Sequence, residues 1–87
     1  MTKKESAMKW FTETFLPSLE SRMDNPKYPN QCILSEKQAE VCYRYMESTQ
    51  HRGDYGWFTN YSIKVGTKVY KMYSQGKYIF LRMWDYA

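Results

Sequence analysis

The stretch Trp57-Phe58-Thr59-Asn60-Tyr61-Ser62-Ile63-Lys64-Val65-Gly66-Thr67-Lys68-Val69-Tyr70-Lys71-Met72-Tyr73 decides how this chain folds. With residues 78–84 it forms three short runs rich in Tyr, Val, Ile, Phe and Trp, separated by glycine turns, which is the pattern of an antiparallel meander. A two-residue turn at Gly66-Thr67 pairs Val65 with Lys68, Ile63 with Tyr70 and Tyr61 with Met72. A four-residue turn at Ser74-Gln75-Gly76-Lys77 pairs Tyr73 with Tyr78, Met72 with Ile79 and Tyr70 with Leu81. Cross-strand partners share a face, so the two turns must agree on which face is apolar. They agree. One side collects Tyr61, Ile63, Val65, Tyr70, Met72, Ile79, Leu81 and Met83. The other collects Asn60, Ser62, Lys64, Val69, Lys71, Tyr73, Tyr78, Phe80, Arg82 and Trp84.

Working outward, the preceding chain supplies two helices to cover the apolar side. Thr2-x-x-Glu5 has the form of a capping box, and Ala7, Met8, Phe11, Phe15 and Leu19 recur at helical spacing. This predicts a helix over about 3–23, kinked at Pro17, whose ring removes a donor and crowds the carbonyl four residues back. Residues 24–33, with Asn25-Pro26 and Tyr28-Pro29-Asn30, read as a loop. Leu34-Ser35-Glu36-Lys37-Gln38-Ala39 is a strong helix start, Ser35 capping and Gln38 reciprocating. The second helix is expected over about 35–48, burying Ala39, Cys42, Tyr43 and Met46, with Val41 and Tyr45 on its flank. Residues 48–56 connect it to the sheet. The expected fold is α+β: one domain over 1–87, two N-terminal helices packed on one face of a three-stranded antiparallel meander over about 57–85.

Composition narrows the function classes. Aromatic residues make up 18% of 87, enough to give a short chain a core. No eighteen-residue apolar run exists, and no apolar segment follows Met1-Thr2-Lys3-Lys4-Glu5, so neither a membrane span nor a secretion leader is expected. Cys32 and Cys42 lack the companions of a zinc site and are expected as free thiols in a reducing cytoplasm, Cys32 the more exposed. The formal charge is +4, and its distribution matters more than its size. From Gly56 onward the one acid is Asp85, against Lys64, Lys68, Lys71, Lys77 and Arg82. The positive charge belongs to the sheet.

The layout of an F-x-x-x-L helix (Phe11, Phe15, Leu19), a helix opening Leu34-Ser35-Glu36-Lys37-Gln38, and a hairpin Val65-Gly66-Thr67-Lys68-Val69-Tyr70-Lys71-Met72 resembles small accessory modules of phages and other mobile elements. The resemblance covers roughly residues 11–84. It implies a setting in DNA metabolism, in the host cytoplasm if the chain is phage-encoded, and no reaction or catalytic residue.

No catalytic constellation can be assembled from motifs. His51 stands alone in an expected loop beside the turn Arg52-Gly53-Asp54, and Glu36 and Glu40 have no histidine support for a metal. The expectation is a non-enzymatic module without cofactor or metal. Its expected partner is nucleic acid, single-stranded or protein-bound, and its candidate binding surface is the second sheet face, where Tyr73, Tyr78, Phe80 and Trp84 are stacking platforms and Lys64, Lys71 and Arg82 meet phosphates, as in single-strand binders. A protein partner fits the same residues, because Tyr, Trp, Met and Arg are enriched at interface hot spots. Such a partner would make the chain an inhibitor of a host enzyme or of a CRISPR nuclease, or a homodimer through the aromatic face. The bland alternative is a face that stabilises the sheet through its own cross-strand pairs or lies under another segment.

Overall fold

The computed structural model describes residues 2–24, 26–27 and 29–85. It is α+β, with the element order α1 (Lys3–Trp10), a π-helical turn (Phe11–Phe15), α2 (Leu16–Glu20), β1 (Gln31–Leu34), α3 (Glu36–Tyr45), β2 (Glu47–Gly53), β3 (Gly56–Val65), β4 (Lys68–Gln75) and β5 (Tyr78–Asp85). The sheet has five antiparallel strands in the order β1-β5-β4-β3-β2, rather than the three expected. None of the helices among the described residues is long and apolar enough to cross a membrane.

The first helix is interrupted ahead of its proline. Pro17 has no N–H to give the carbonyl four residues back, and the turn before it widens, the Leu16 N–H donating to the Phe11 carbonyl five residues away. The extra residue rotates the following stripe, so Leu16 joins Phe11 and Leu19 in the core while Met8 and Phe15 pack at its margin. Helix geometry ends at Glu20, three residues short of the expected end. Thr2 caps α1, its hydroxyl accepting from the Glu5 N–H at 3.1 Å.

Ser35 caps α3 as its sequence predicts. Its hydroxyl accepts from the Gln38 N–H (3.2 Å) and the Gln38 side chain accepts from the Ser35 N–H (2.9 Å). Ser35→Ala is expected to lower stability by about 1 kcal/mol, read as a fall in urea midpoint at unchanged slope. The helix stops at Tyr45 and the chain turns straight into β2, since Met46 is already extended. Ala39, Cys42 and Met46 are buried as expected, but the two tyrosines exchange roles. Tyr43 is exposed and meets Tyr61 edge-on at 4.7 Å, whereas Tyr45 stacks on Phe11 at 5.1 Å.

Two strands lie where loop was expected. In β1, the buried Cys32 and Leu34 alternate with Gln31 and Ile33, and Asn30, at φ 62°, turns the chain into the strand. The Met83 N–H donates to the Asn30 carbonyl at 2.9 Å, anchoring β1 to β5. Asn25 and Tyr28 of the expected turns lie outside the described residues. β2 folds back on β3 through a two-residue loop, Asp54-Tyr55, between the paired Gly53 and Gly56.

The turn at Gly66-Thr67 pairs Val65 with Lys68 and Ile63 with Tyr70, as expected. The next turn is shorter than expected: Gln75 pairs with Tyr78, leaving Gly76-Lys77 as the loop. Both glycines sit at φ 62° at the first loop position, where a side chain would be strained. Closing the turn by two residues slides the partners, so Tyr73 faces Phe80 and Met72 faces Leu81. A slip of two leaves every side chain on its face. Tyr70, Met72 and Leu81 are accordingly buried with Cys32 and Leu34 against the helices. On that side the Lys68 ammonium bonds Glu20 at 2.7 Å, pinning α2 to the start of β4.

Candidate nucleic-acid interface

Among the described residues, the helices pack on one face of the sheet and none covers the other. Register places all seven expected site residues on it, in rows that cross the strands. Tyr73 lies opposite Phe80, and Arg82 opposite Lys71. Val69 stands between Trp84 on β5 and Lys64 on β3. Tyr78 is next to Phe80 along β5, with ring centroids 6.5 Å apart. Tyr73, Tyr78 and Trp84 are exposed, at 39%, 49% and 37%, and Phe80 and Lys71 are partly covered by their neighbours. The face therefore presents partly exposed rings to solvent.

Charge on this face is one-sided. Lys71 and Arg82 oppose each other directly across β4 and β5, a like-charge pair that costs the sheet a few tenths of a kcal/mol or more. The Lys71 ammonium lies over the Tyr73 ring at 5.3 Å, and that of Lys77 over the Tyr78 ring at 5.7 Å, so cations and rings are interleaved. Among the described residues whose register puts them on this face, the one acid is Glu47, at the far edge beside Ser62.

The seven residues do not form one cluster. Tyr73, Tyr78, Phe80 and Arg82 line an open concavity of about 940 Å³ at the β1 edge, whereas Lys64, Lys71 and Trp84 lie outside it. The concavity also takes Ile33 and Gln31 from β1, Gln75 from the end of β4 and Arg22 from the turn after α2. Sequence reasoning missed these. The alternation in Gln31-Cys32-Ile33-Leu34 was the available signal for β1, but four residues behind two prolines also read as loop. Nothing local marks Arg22. It is held in place by Gln38, whose side-chain oxygen accepts from Nη1 of Arg22 at 3.3 Å.

The cysteines belong to the interior. Burial raises the Cys32 thiol pKa against the opposing charge of Arg22, and pushes Cys42 up to about 12, with Cys32 adding to the rise. Burial thus favours the protonated thiol at both positions. Cys32, expected in a loop, is buried on the inner side of β1. His51 lies in β2, stacked on Phe58 at 5.6 Å, its Nε2 3.2 Å from the Thr49 hydroxyl. No group of three or more metal-ligating side chains occurs among the described residues.

A second exposed feature is the far half of the β2–β3 hairpin. β3 pairs with β4 only from Ser62 onward, so its first half and β2 project as a two-stranded arm. Tyr55 at the tip is fully exposed and Trp57 is 70% exposed. Gly53 leaves room for the Phe58 ring, which a Cβ there would meet at 3.0 Å. No protein family, curated protein or solved structure matches this chain.

Proposed function

We propose that the chain is a non-enzymatic module that binds single-stranded nucleic acid across the open face of its sheet. The observation that carries this reading is the pair of adjacent rows on that face, Tyr73 opposite Phe80 and Lys71 opposite Arg82. Rings offer every base a stacking surface, each worth roughly 1–3 kcal/mol, while neighbouring cations neutralise the backbone that links the bases. A like-charge pair that weakens the sheet is compensated once a phosphate sits between its members. The resemblance to mobile-element accessory modules suits such a role in the host cytoplasm.

An oligonucleotide titration followed by tryptophan fluorescence tests this reading. Trp84 should quench on binding, and Trp84→Phe should remove the change. If Lys64, Lys71 and Arg82 meet three phosphates, log Kd should rise with log salt at a slope of about 2. A flat response at low salt would sink the proposal.

The β2–β3 arm favours a second reading, a protein-binding inhibitor. Tyr55 and Trp57 are exposed anchors of the kind that fill partner pockets. Arg52 and Asp54 at the tip cancel, so the arm is not built for a polyanion. Binding of a partner that survives nuclease treatment and fails in Trp57→Ala would support this reading over the first.

A further inference from the structure

We infer that the concavity at the β1 edge receives the phosphorylated end of a nucleic-acid strand, its terminal phosphate held between Arg22 and Arg82 and its last base lying on the Phe80–Tyr73 pair. This rests on the nucleic-acid reading of the open face and adds to it a substrate class, strands that end in a phosphate monoester.

Three features point this way. Two arginines line one concavity from different parts of the fold, Arg82 from the outer face of β5 and Arg22 from the turn after α2. None of the described residues lining it is an acid. Arg22 is positioned rather than free, because Gln38, itself fixed in the cap of α3, accepts its hydrogen bond. A guanidinium fork matches phosphate oxygens in a bidentate way, and two forks suit a dianion better than a monoanion. An internal phosphodiester carries one negative charge, whereas a terminal monoester carries nearly two above its second pKa of about 6.

The position agrees with the chemistry. β1 is only four residues long and is the edge of the sheet, so a strand crossing the face from Lys64 towards Phe80 runs out of platform at β1. About 940 Å³ is within the usual size of a small-ligand site, and Gln31 and Gln75 place amides beside the rings, where a base edge would lie.

The experiment compares one oligonucleotide sequence, as DNA and as RNA, ending in a 5′-phosphate, a 3′-phosphate or hydroxyls only, by fluorescence anisotropy at pH 7.5. One phosphate-ended form should bind about tenfold tighter than the hydroxyl-ended form, and the preference should shrink at pH 5.5, where the monoester loses its second charge. Arg22→Gln should bring the phosphate-ended strand down to the level of the hydroxyl-ended one. Equal affinity for all ends, with binding itself intact, overturns this inference and leaves the open-face reading standing. Failure of every oligonucleotide to bind overturns both.

Discussion

In the double variant Lys71→Glu/Arg82→Glu, oligonucleotide affinity is expected to fall by about thirty- to ninetyfold. The two residues stand opposite each other on β4 and β5, so the exchange turns a local double positive charge into a double negative one. A unit-charge pair at about 4 Å in water is worth roughly 1 kcal/mol. Two attractions lost and two repulsions gained come to about 4 kcal/mol before screening, and roughly half to two thirds of that after it. The fold should change little. Like charges already oppose each other at this point of the sheet, and reversing both signs leaves their repulsion as it was. Circular dichroism should therefore match the parent chain, and the urea midpoint should fall only by the lost contact of Lys71 with the Tyr73 ring, about 0.5–1 kcal/mol. The charge-keeping exchange Lys71→Arg/Arg82→Lys should retain most of the affinity. Undiminished binding by the double glutamate variant would remove the outer face from the interface.

What could be read from the residues was the parity of the sheet, and what could not was its extent. Val65-Gly66-Thr67-Lys68 is a short hairpin loop whose residues specify their own geometry, and the pairing of Ile63 with Tyr70 follows from it. The second turn was misjudged in length, yet the sorting into faces survived because the error was two residues, a full period of the pleat. β2, by contrast, has no apolar alternation to betray it. Glu47-Ser48-Thr49-Gln50-His51-Arg52 is polar throughout and is a strand because β3 offers it a partner. Such a strand is a tertiary event that periodicity cannot announce.

The site divides the same way. All seven residues chosen from the sequence lie on one open face, since face membership depends only on parity. Their grouping depends on distance across strands, and on what the helical layer sends over the edge. Arg22 enters the concavity only because α2 ends at Glu20 and the following turn brings its side chain to Gln38. That meeting joins residues sixteen apart, and no local pattern records it. The π turn is a further case. Pro17 predicted a disturbance, but the insertion of one residue, which carries Leu16 into the core, is visible only in the hydrogen bond from Leu16 to Phe11.

Leu81→Ala is expected to cost about 3 kcal/mol, while Phe80→Ala, one residue away, should cost less than about 1 kcal/mol. Leu81 is fully buried on the inner side of β5, between Cys32 on β1 and Met72 on β4, with Phe11, Leu16 and Leu19 in the same core. Removing its branched end opens a cavity that strands on both sides prevent from closing. A chain of 87 residues has a total stability of only about 4–13 kcal/mol, so the loss should lower Tm by about 15 °C. Phe80 lies on the other face, where its contribution to the fold is its cross-strand pairing with Tyr73 on β4 and Ile33 on β1 and its place beside the Tyr78 ring. The same two variants should separate in the opposite sense when oligonucleotide binding is measured below the melting range. Phe80→Ala should lose roughly 1–3 kcal/mol of affinity through a lost stacking surface, and Leu81→Ala should keep its affinity for as long as it stays folded. Equal thermal losses for the two, or the larger loss in Phe80→Ala, would mean that β5 presents the wrong face to the helices. The parity on which both the core and the binding face depend would then fail together.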